Sequence, residues 1–129
     1  CVSCVAFMHC KGTSDRPRPA HVAPSLMPPL ECPVHGSYPS GHATQAHLFA
    51  LCAIKILPDA QKQSLGVVLK ALAARIARNR EIAGLHYQSD SMAGEWLAGE
   101  IFKILNNQPS IMQRFHDAVK AAASEWETL

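Results

Sequence analysis

The chain has 129 residues, of which 48% are hydrophobic and 17% charged, and its formal net charge is +2. These values are typical of a soluble globular protein, and we assign residues 1–129 to a single domain. So small a net charge gives no reason to expect nucleic acid as a partner. No apolar run reaches the roughly 18 residues of a membrane span. We therefore expect a soluble protein without a span, in the cytoplasm or the periplasm.

The chain opens at Cys1, inside an apolar segment and without an initiator methionine. We interpret residues 1–9 as the tail of a helix whose start is missing, which makes this chain the C-terminal core of a longer one or one subunit of a homo-oligomer. The five cysteines form no regular pattern, which argues against a disulfide scaffold. The Cys1-x-x-Cys4 pair is cramped for zinc, so we expect reduced cysteines packed in helices and no metal site.

Residues 12–40 hold seven of the nine prolines. That density argues against a regular helix, and alternating apolar runs typical of strands are few. The sequence therefore predicts a long ordered loop in this region. Loops of this length inside a compact domain are more often functional than not.

Helical patterns follow the proline-rich region. Residues 41–57 are rich in Ala and Leu and end at Pro58, and residues 59–82 predict a second helix with Gly84 as its stop signal. This second helix carries apolar residues at helical spacing, namely Leu65, Val68, Leu69, Leu72 and Ile76.

Two more helices complete the prediction. The third covers residues 90–106 and begins near Ser89 and Asp90, which suit a helix N-terminus. The fourth starts with Ser110 and Gln113 in a capping-box pattern. Its expected buried residues are Met112, Phe115, Val119 and Trp126. The predicted fold is an all-α helical bundle with a long proline-rich loop across one end.

Three short motifs carry the residues capable of chemistry. They supply three permanent cations, two histidines, one carboxylate and a small-residue turn at a helix start. The motifs are Lys11-x6-Arg18-Pro19, Pro39-Ser40-Gly41-His42 and Arg80-x5-His86-x3-Asp90.

These motifs fit a tetrahedral oxyanion. A helix that opens at Ser40 and Gly41 presents unpaired backbone N–H groups to an anion, and the glycine allows close approach. Arg18 and Arg80 can each hold two oxygens in a planar fork, whereas Lys11 acts as a point charge. Three cations in one pocket repel one another unless an anion lies between them. We therefore predict an anion-binding site.

The histidines and the carboxylate fit a catalytic interpretation of the same site. His86 and Asp90 are four residues apart, so the carboxylate can hold one ring nitrogen and leave the other free as a nucleophile. His42 follows the turn and can protonate a leaving oxygen and then activate water.

Each residue also has an ordinary structural interpretation. Arg80 taken alone is typical of a solvated helix surface, and His86 with Asp90 is also a common structural hydrogen-bonded pair. Only the conjunction of the three spacings indicates a site. A non-catalytic anion-binding module remains an alternative at this point.

The three motifs resemble those of the type 2 phosphatidic acid phosphatase and vanadium-dependent haloperoxidase superfamily, which includes bacterial class A acid phosphatases. The resemblance extends from Lys11 to about Gly94 and implies a helical bundle with the site at one end. It makes His86 the nucleophile that forms a phosphohistidine, or the residue bonded to vanadium if vanadate is bound. It makes Asp90 the residue that orients His86, and His42 the acid/base. The residues that it assigns to the phosphate or vanadate oxygens are Lys11, Arg18, Ser40, Gly41 and Arg80.

The resemblance adds two candidates for residues that contact the oxygen-binding side chains rather than the anion itself. Asn79 stands where the third motif of the family usually begins with Ser. His35 lies seven residues before His42, where bromoperoxidases also have a histidine.

The resemblance leaves the reaction open between two chemistries. We expect a hydrolase of small-molecule phosphate monoesters that needs no cofactor. The alternative is a haloperoxidase that carries vanadate and oxidises halide with hydrogen peroxide. The short chain argues against the haloperoxidase, and the lack of spans argues against a membrane-embedded lipid phosphatase.

Overall fold

The computed structural model describes residues 2–108 and 113–126. Within these two ranges the regular secondary structure is entirely helical, which confirms the predicted all-α fold class. The elements are α1 (Val2–Ser14), α2 (Pro19–Val22), a 3-10 helix (Pro24–Leu26), α3 (Gly41–Ile56), α4 (Asp59–Ile82), α5 (Gln88–Asn107) and α6 (Gln113–Glu125).

Helix α3 is the centre of the fold. It packs extensively against both α4 and α5 and also contacts α1 and α6, whereas α4 and α5 touch each other little. The helices approach closely because the buried positions are mostly small. The buried alanines of these three helices are Ala43, Ala50, Ala73, Ala77 and Ala98.

Helix α5 packs closely against the first turn of α3 at Gly94. A Cβ atom built on Gly94 would lie 2.7 Å from the Ser40 carbonyl oxygen, 2.8 Å from Ala43 Cβ and 3.0 Å from Thr44 N. The Ser40 amide also donates to the Asp90 carbonyl over 2.9 Å. Only a residue without a side chain leaves room for this backbone-to-backbone contact.

The predicted helix ends agree with the structure. Helix α3 stops at Ile56, two residues before Pro58. Helix α4 covers Asp59–Ile82, and Gly84 follows it with a φ of 69°, a conformation that glycine adopts readily. Helix α5 begins at Gln88, two residues before the predicted start.

The prediction of one continuous loop over residues 12–40 was wrong in part. Helix α1 continues to Ser14, and α2 and the 3-10 helix begin at Pro19 and Pro24. Proline is compatible with the first turn of a helix, because the N–H that it lacks has no partner there. The non-helical stretch is therefore confined to residues 15–18, 23 and 27–40.

The large apolar residues at helical spacing on α4 are not the ones that it buries fully, although Leu69 and Ile76 are half-buried. Its buried residues are Gly66, Ala73 and Ala77, whereas Val68 and Leu72 are more than half exposed. The small residues face α3 because they allow the two helix axes to come close, which leaves the larger apolar side chains beside an open groove.

Helix α6 is covered less than predicted. Phe115 and Val119 are half-buried, and Trp126 is 36% exposed, so the expected burial of Trp126 is wrong. The helix packs against α3, which covers only one side of it. The predicted residues Ser110 and Met112 lie outside the described residues.

No helix within residues 2–108 and 113–126 combines the length and the apolar character that crossing a bilayer requires.

We predict that Gly94→Ala destabilises the protein by about 1–3 kcal/mol, because the added methyl overlaps backbone atoms of α3 that cannot move aside locally. Gly99→Ala is the matched control on the same helix, since a Cβ atom at this position would have nothing within 4 Å of it. It should stabilise by about 0.5–1 kcal/mol through helix propensity. Urea unfolding measures both, and equal midpoints for the two variants would contradict the close contact.

Candidate active site

A pocket of about 140 Å³ lies at the end of the bundle where α3 begins. Residues from α1, the proline-rich region (residues 12–40), α3, the end of α4 and the turn before α5 meet around it. The predicted site residues that line it are Lys11, Arg18, His35, Gly41, His42, Arg80 and His86. Three sequence motifs that are far apart in the chain therefore share one pocket.

Ser40 and Gly41 form the N-terminus of α3 beside the pocket. The Ser40 side chain is the N-cap, since its Oγ accepts from the Ala43 amide over 3.3 Å. A Cβ atom on Gly41 would lie 3.0 Å from the Phe7 ring, so the glycine lets this aromatic side chain pack against the helix start. Because the Ser40 hydroxyl already caps the helix, a role as oxygen ligand stays a prediction.

Arg18 is 1% exposed and joins three parts of the site. Its Nε donates to the carbonyl oxygens of Pro33 and His35, both over 3.2 Å, and its Nη1 donates to the Leu85 carbonyl over 2.8 Å. Nη1 also lies 3.3 Å from His86 Nε2. These bonds hold Pro33 and His35 of the proline-rich region close to Leu85 and His86, which precede α5. To bind a phosphate oxygen, Arg18 must give up one of these hydrogen bonds.

Lys11 is buried and also lines the pocket. Its Nζ donates to the Gly36 carbonyl over 2.8 Å and to the Ser37 carbonyl over 3.1 Å, which leaves one of its three N–H groups for another acceptor. Burial, together with the charge of Arg18, lowers the pKa of Lys11 to about 8.

Arg80 lies in the last turn of α4. Its Nε is buried and has no hydrogen-bond partner among the described residues. Buried donors are almost always paired in proteins, so an unpaired guanidinium N–H beside two other cations indicates a place for an anionic ligand.

His86 and Asp90 form a buried pair behind the pocket. His86 Nδ1 lies 3.3 Å from Asp90 Oδ2, and the neighbouring Tyr87 amide donates to the same oxygen over 2.9 Å. A guanidinium can only donate, so His86 Nε2 must accept from Arg18, and the ring proton then resides on Nδ1. In this tautomer the Nε2 lone pair accepts the Arg18 bond, and this bond must open before Nε2 can react with a ligand in the pocket.

The electrostatics keep this pair in the form that nucleophilic attack requires. Burial lowers the pKa of His86, and the charges of Arg18 and Lys11 lower it further, against an opposing contribution from Asp90. Burial alone would raise the pKa of Asp90, but the bonds from His86 and Tyr87 and the charge of Arg16 hold it below its usual value. At neutral pH the imidazole is therefore uncharged and the carboxylate ionised.

His42 lies on the first turn of α3 and lines the pocket. Burial lowers its pKa, and the charges of Arg80 and of a protonated His86 lower it further. A bound anion would counter these charges and favour the protonated form of His42. The residue is placed to exchange protons with a ligand in the pocket.

His35 and Asn79, the two candidates for contacting the oxygen-binding side chains, differ in position. His35 lines the pocket, and its Nδ1 lies 3.2 Å from Arg18 Nη2. Asn79 is exposed on α4, and its Oδ1 accepts from Arg75 over 3.2 Å. The structure therefore brings His35 into the site and does not bring Asn79 there.

Sequence reasoning missed Arg16. Its Nη1 donates to Asp90 Oδ1 over 2.9 Å and to Ser89 Oγ over 2.7 Å, and its guanidinium carbon lies 4.1 Å from the centre of the Tyr87 ring. The sequence gives one signal for Arg16, its position inside the first motif two residues before Arg18. A charged residue in a predicted loop is otherwise typical of a solvated surface.

One comparison with known proteins identifies a family for this chain. A family profile described as the PAP2 superfamily matches residues 1–110, which include all three motifs. The chain belongs to the PAP2 superfamily. Membership implies chemistry of the phosphatase or haloperoxidase type. Comparison with curated proteins gave no match.

We predict that sulfate binding weakens as the pH rises above about 8. Lys11 carries its charge below its pKa of about 8 and loses it above that value, whereas the charge of sulfate is constant over this range. The affinity should fall by up to about tenfold per pH unit, the limit for the loss of one proton. Calorimetric titration between pH 7 and pH 9 measures the change.

Lys103→Gln is the matched control, because Lys103 is exposed on α5 and pairs with Glu100. This variant should show the same decline with pH as the wild type. An affinity that stays constant from pH 7 to pH 9 would contradict a role for Lys11 in anion binding.

Proposed function

We propose that the protein is a phosphoric monoester hydrolase that acts through a phosphohistidine at His86. The observation that carries the proposal is the buried His86–Asp90 pair, whose imidazole lines a pocket walled by three cations and has its unprotonated Nε2 next to one of them, Arg18. Membership of the PAP2 superfamily supports a phosphatase-type reaction. No metal or organic cofactor is required for the steps that follow.

In the first step, Arg18 Nη1 transfers its hydrogen bond from His86 Nε2 to a phosphoryl oxygen. The freed Nε2 attacks the phosphorus atom, and the ester P–O bond breaks. The electron pair goes to the alcohol oxygen, which takes a proton from His42. Asp90 stabilises the positive charge that develops on the His86 ring through the Nδ1–H bond. Lys11, Arg18 and Arg80 balance the charge on the phosphoryl oxygens.

In the second step, His42 removes a proton from water, and the resulting hydroxide attacks phosphorus. The P–N bond breaks, its electron pair returns to His86 Nε2, and inorganic phosphate leaves. The nucleophile and the acid/base are thereby restored to their starting forms.

We further infer that the alcohol part of the substrate carries an apolar group. An open groove of about 550 Å³ adjoins the phosphate pocket, and the two cavities share His42 and Gln45. Since His42 protonates the leaving oxygen, the alcohol must extend from the phosphate toward His42. The groove beyond it is lined mainly by apolar side chains of α3 and α4, among them Phe49, Leu69 and Leu72.

We predict that His86→Ala lowers the hydrolysis of both alkyl and nitrophenyl phosphates by at least about 10³-fold, because both need the nucleophile. His42→Ala should lower alkyl phosphate hydrolysis by about 10²–10⁴-fold and nitrophenyl phosphate hydrolysis much less, since nitrophenolate leaves without a proton. Steady-state release of phosphate from the two esters measures these rates.

Three outcomes would redirect the proposal. Equal rates for wild type and His86→Ala would contradict the phosphohistidine route. If the wild type loaded with vanadate oxidises bromide with peroxide but hydrolyses neither ester, the haloperoxidase reaction is favoured, and His35 beside Arg18 becomes its candidate supporting residue. Anion binding without either activity would favour a non-catalytic binding module.

We predict that kcat/KM rises by about two- to fourfold per methylene for linear alkyl phosphates, because each added CH₂ leaves water for the groove. Leu72→Gln should abolish most of this increase without changing methyl phosphate hydrolysis. Val67→Gln is the matched control, since Val67 is an exposed apolar residue of α4 outside the groove. A kcat/KM that is independent of chain length would contradict the role of the groove.

A further inference from the structure

The Asp90 carboxylate is fully buried, and each of its oxygens has a separate set of donors. Oδ2 accepts from His86 Nδ1 and from the Tyr87 amide. Oδ1 accepts from Arg16 Nη1 over 2.9 Å. The donors on both sides fix the rotation of the carboxylate, so that Oδ2 rather than Oδ1 faces the imidazole.

Arg16 is itself held in place by three neighbours. Besides Asp90, its Nη1 donates to Ser89 Oγ over 2.7 Å, and its guanidinium carbon lies 4.1 Å from the centre of the Tyr87 ring. The Arg16 side chain is 37% exposed, so solvent and small solutes can reach it. Arg16 therefore lies partly at the protein surface, and its charged group contacts the buried carboxylate of Asp90.

The other charged groups near Asp90 have different partners. Lys11 and Arg18 lie close enough to influence it, but they donate to backbone carbonyls, and Arg18 also to His86. Arg16 is the arginine that donates directly to the carboxylate. A buried carboxylate without such a partner favours its protonated form, which cannot hold the Nδ1 proton of an imidazole.

We propose that Arg16 is a positioning residue that orients the Asp90 carboxylate and keeps it ionised, and so holds the His86 ring in the tautomer that is protonated on Nδ1 and unprotonated on Nε2. This inference rests on the proposed phosphohistidine function. Arg16 touches neither the pocket nor the reacting atoms, and it acts through Asp90. The working unit is therefore the chain of hydrogen bonds Arg16–Asp90–His86.

Arg16→Ala should lower kcat by about 10–100-fold, the range typical of groups that orient a functional side chain. The KM for a nitrophenyl phosphate should change by less than about twofold, because the cations of the pocket are intact. Loss of a nearby cation raises the proton affinity of both Asp90 and His86. The acid limb of the kcat/KM profile should therefore move to higher pH.

Two rescue experiments separate positioning from folding. Arg16→Lys should recover part of the lost kcat, since it restores the charge without the planar fork. Added guanidinium at millimolar concentration should recover activity of Arg16→Ala, because the vacated site is exposed. The matched control is Arg78→Ala, which removes an exposed, ion-paired arginine of α4 and should leave kcat and its pH profile unchanged.

An Arg16→Ala variant with kcat within twofold of the wild type and an unshifted acid limb would overturn the proposal. So would a loss that neither lysine nor guanidinium restores in a variant that melts at the wild-type temperature.

A measurement that does not depend on activity distinguishes failure of this inference from failure of the proposed function. Nitrogen-15 NMR of the His86 ring should show the Nδ1-protonated tautomer in the wild type and a titration shifted to higher pH in Arg16→Ala. If the wild type hydrolyses no phosphate ester, the proposed function fails, and this shift still supports the Arg16–Asp90–His86 chain. An identical titration in both proteins would overturn that chain.

Discussion

The amide of Ser40 donates to the carbonyl of Asp90, and Gly94 lies one turn further along α5 against the same turn of α3. This contact fixes where two helices begin relative to each other. Because His42 follows Ser40 on α3 and Asp90 holds His86 at the start of α5, the separation of the two histidines depends on it. A side chain at position 94 would force these helix starts apart. The site therefore rests on a glycine that makes no chemical contribution of its own.

Arg18 supplies the second constraint. Its guanidinium is buried and bonds to carbonyls of the proline-rich region and of Leu85, so it joins a segment with little regular structure to the bundle. The cost of burying its charge is offset by these acceptors and by the nearby Asp90. Lys11 acts in the same way from α1. Two of the cations that surround the pocket thus also hold its walls together, whereas the Nε of Arg80 has no such partner among the described residues.

The arrangement distributes the tasks of the proposed phosphoryl-transfer site among different elements. Helix α1 and the proline-rich region provide charge, α3 provides a helix N-terminus and His42, and the start of α5 provides His86 and its carboxylate. The apolar groove that adjoins His42 lies between α3 and α4, because small residues such as Ala73 form their contact and leave the larger side chains at its edges. In the proposed function, the phosphate pocket and the apolar groove that share His42 bind the charged and the apolar parts of the substrate respectively.

The sequence by itself determined the helices whose ends carry local signals. Pro58 and Gly84 bound α4 through backbone restrictions that act within a few residues, and the three motifs predicted residues that the structure brings around one pocket. Tertiary structure decided what depends on neighbours distant in the chain. It turned Ala73 and Ala77 of α4 inward instead of Leu72, because closeness of the helix axes outweighed the size of the side chain. It left Asn79 on the surface and brought Arg16 to Asp90, a pairing across 74 residues that no local pattern encodes.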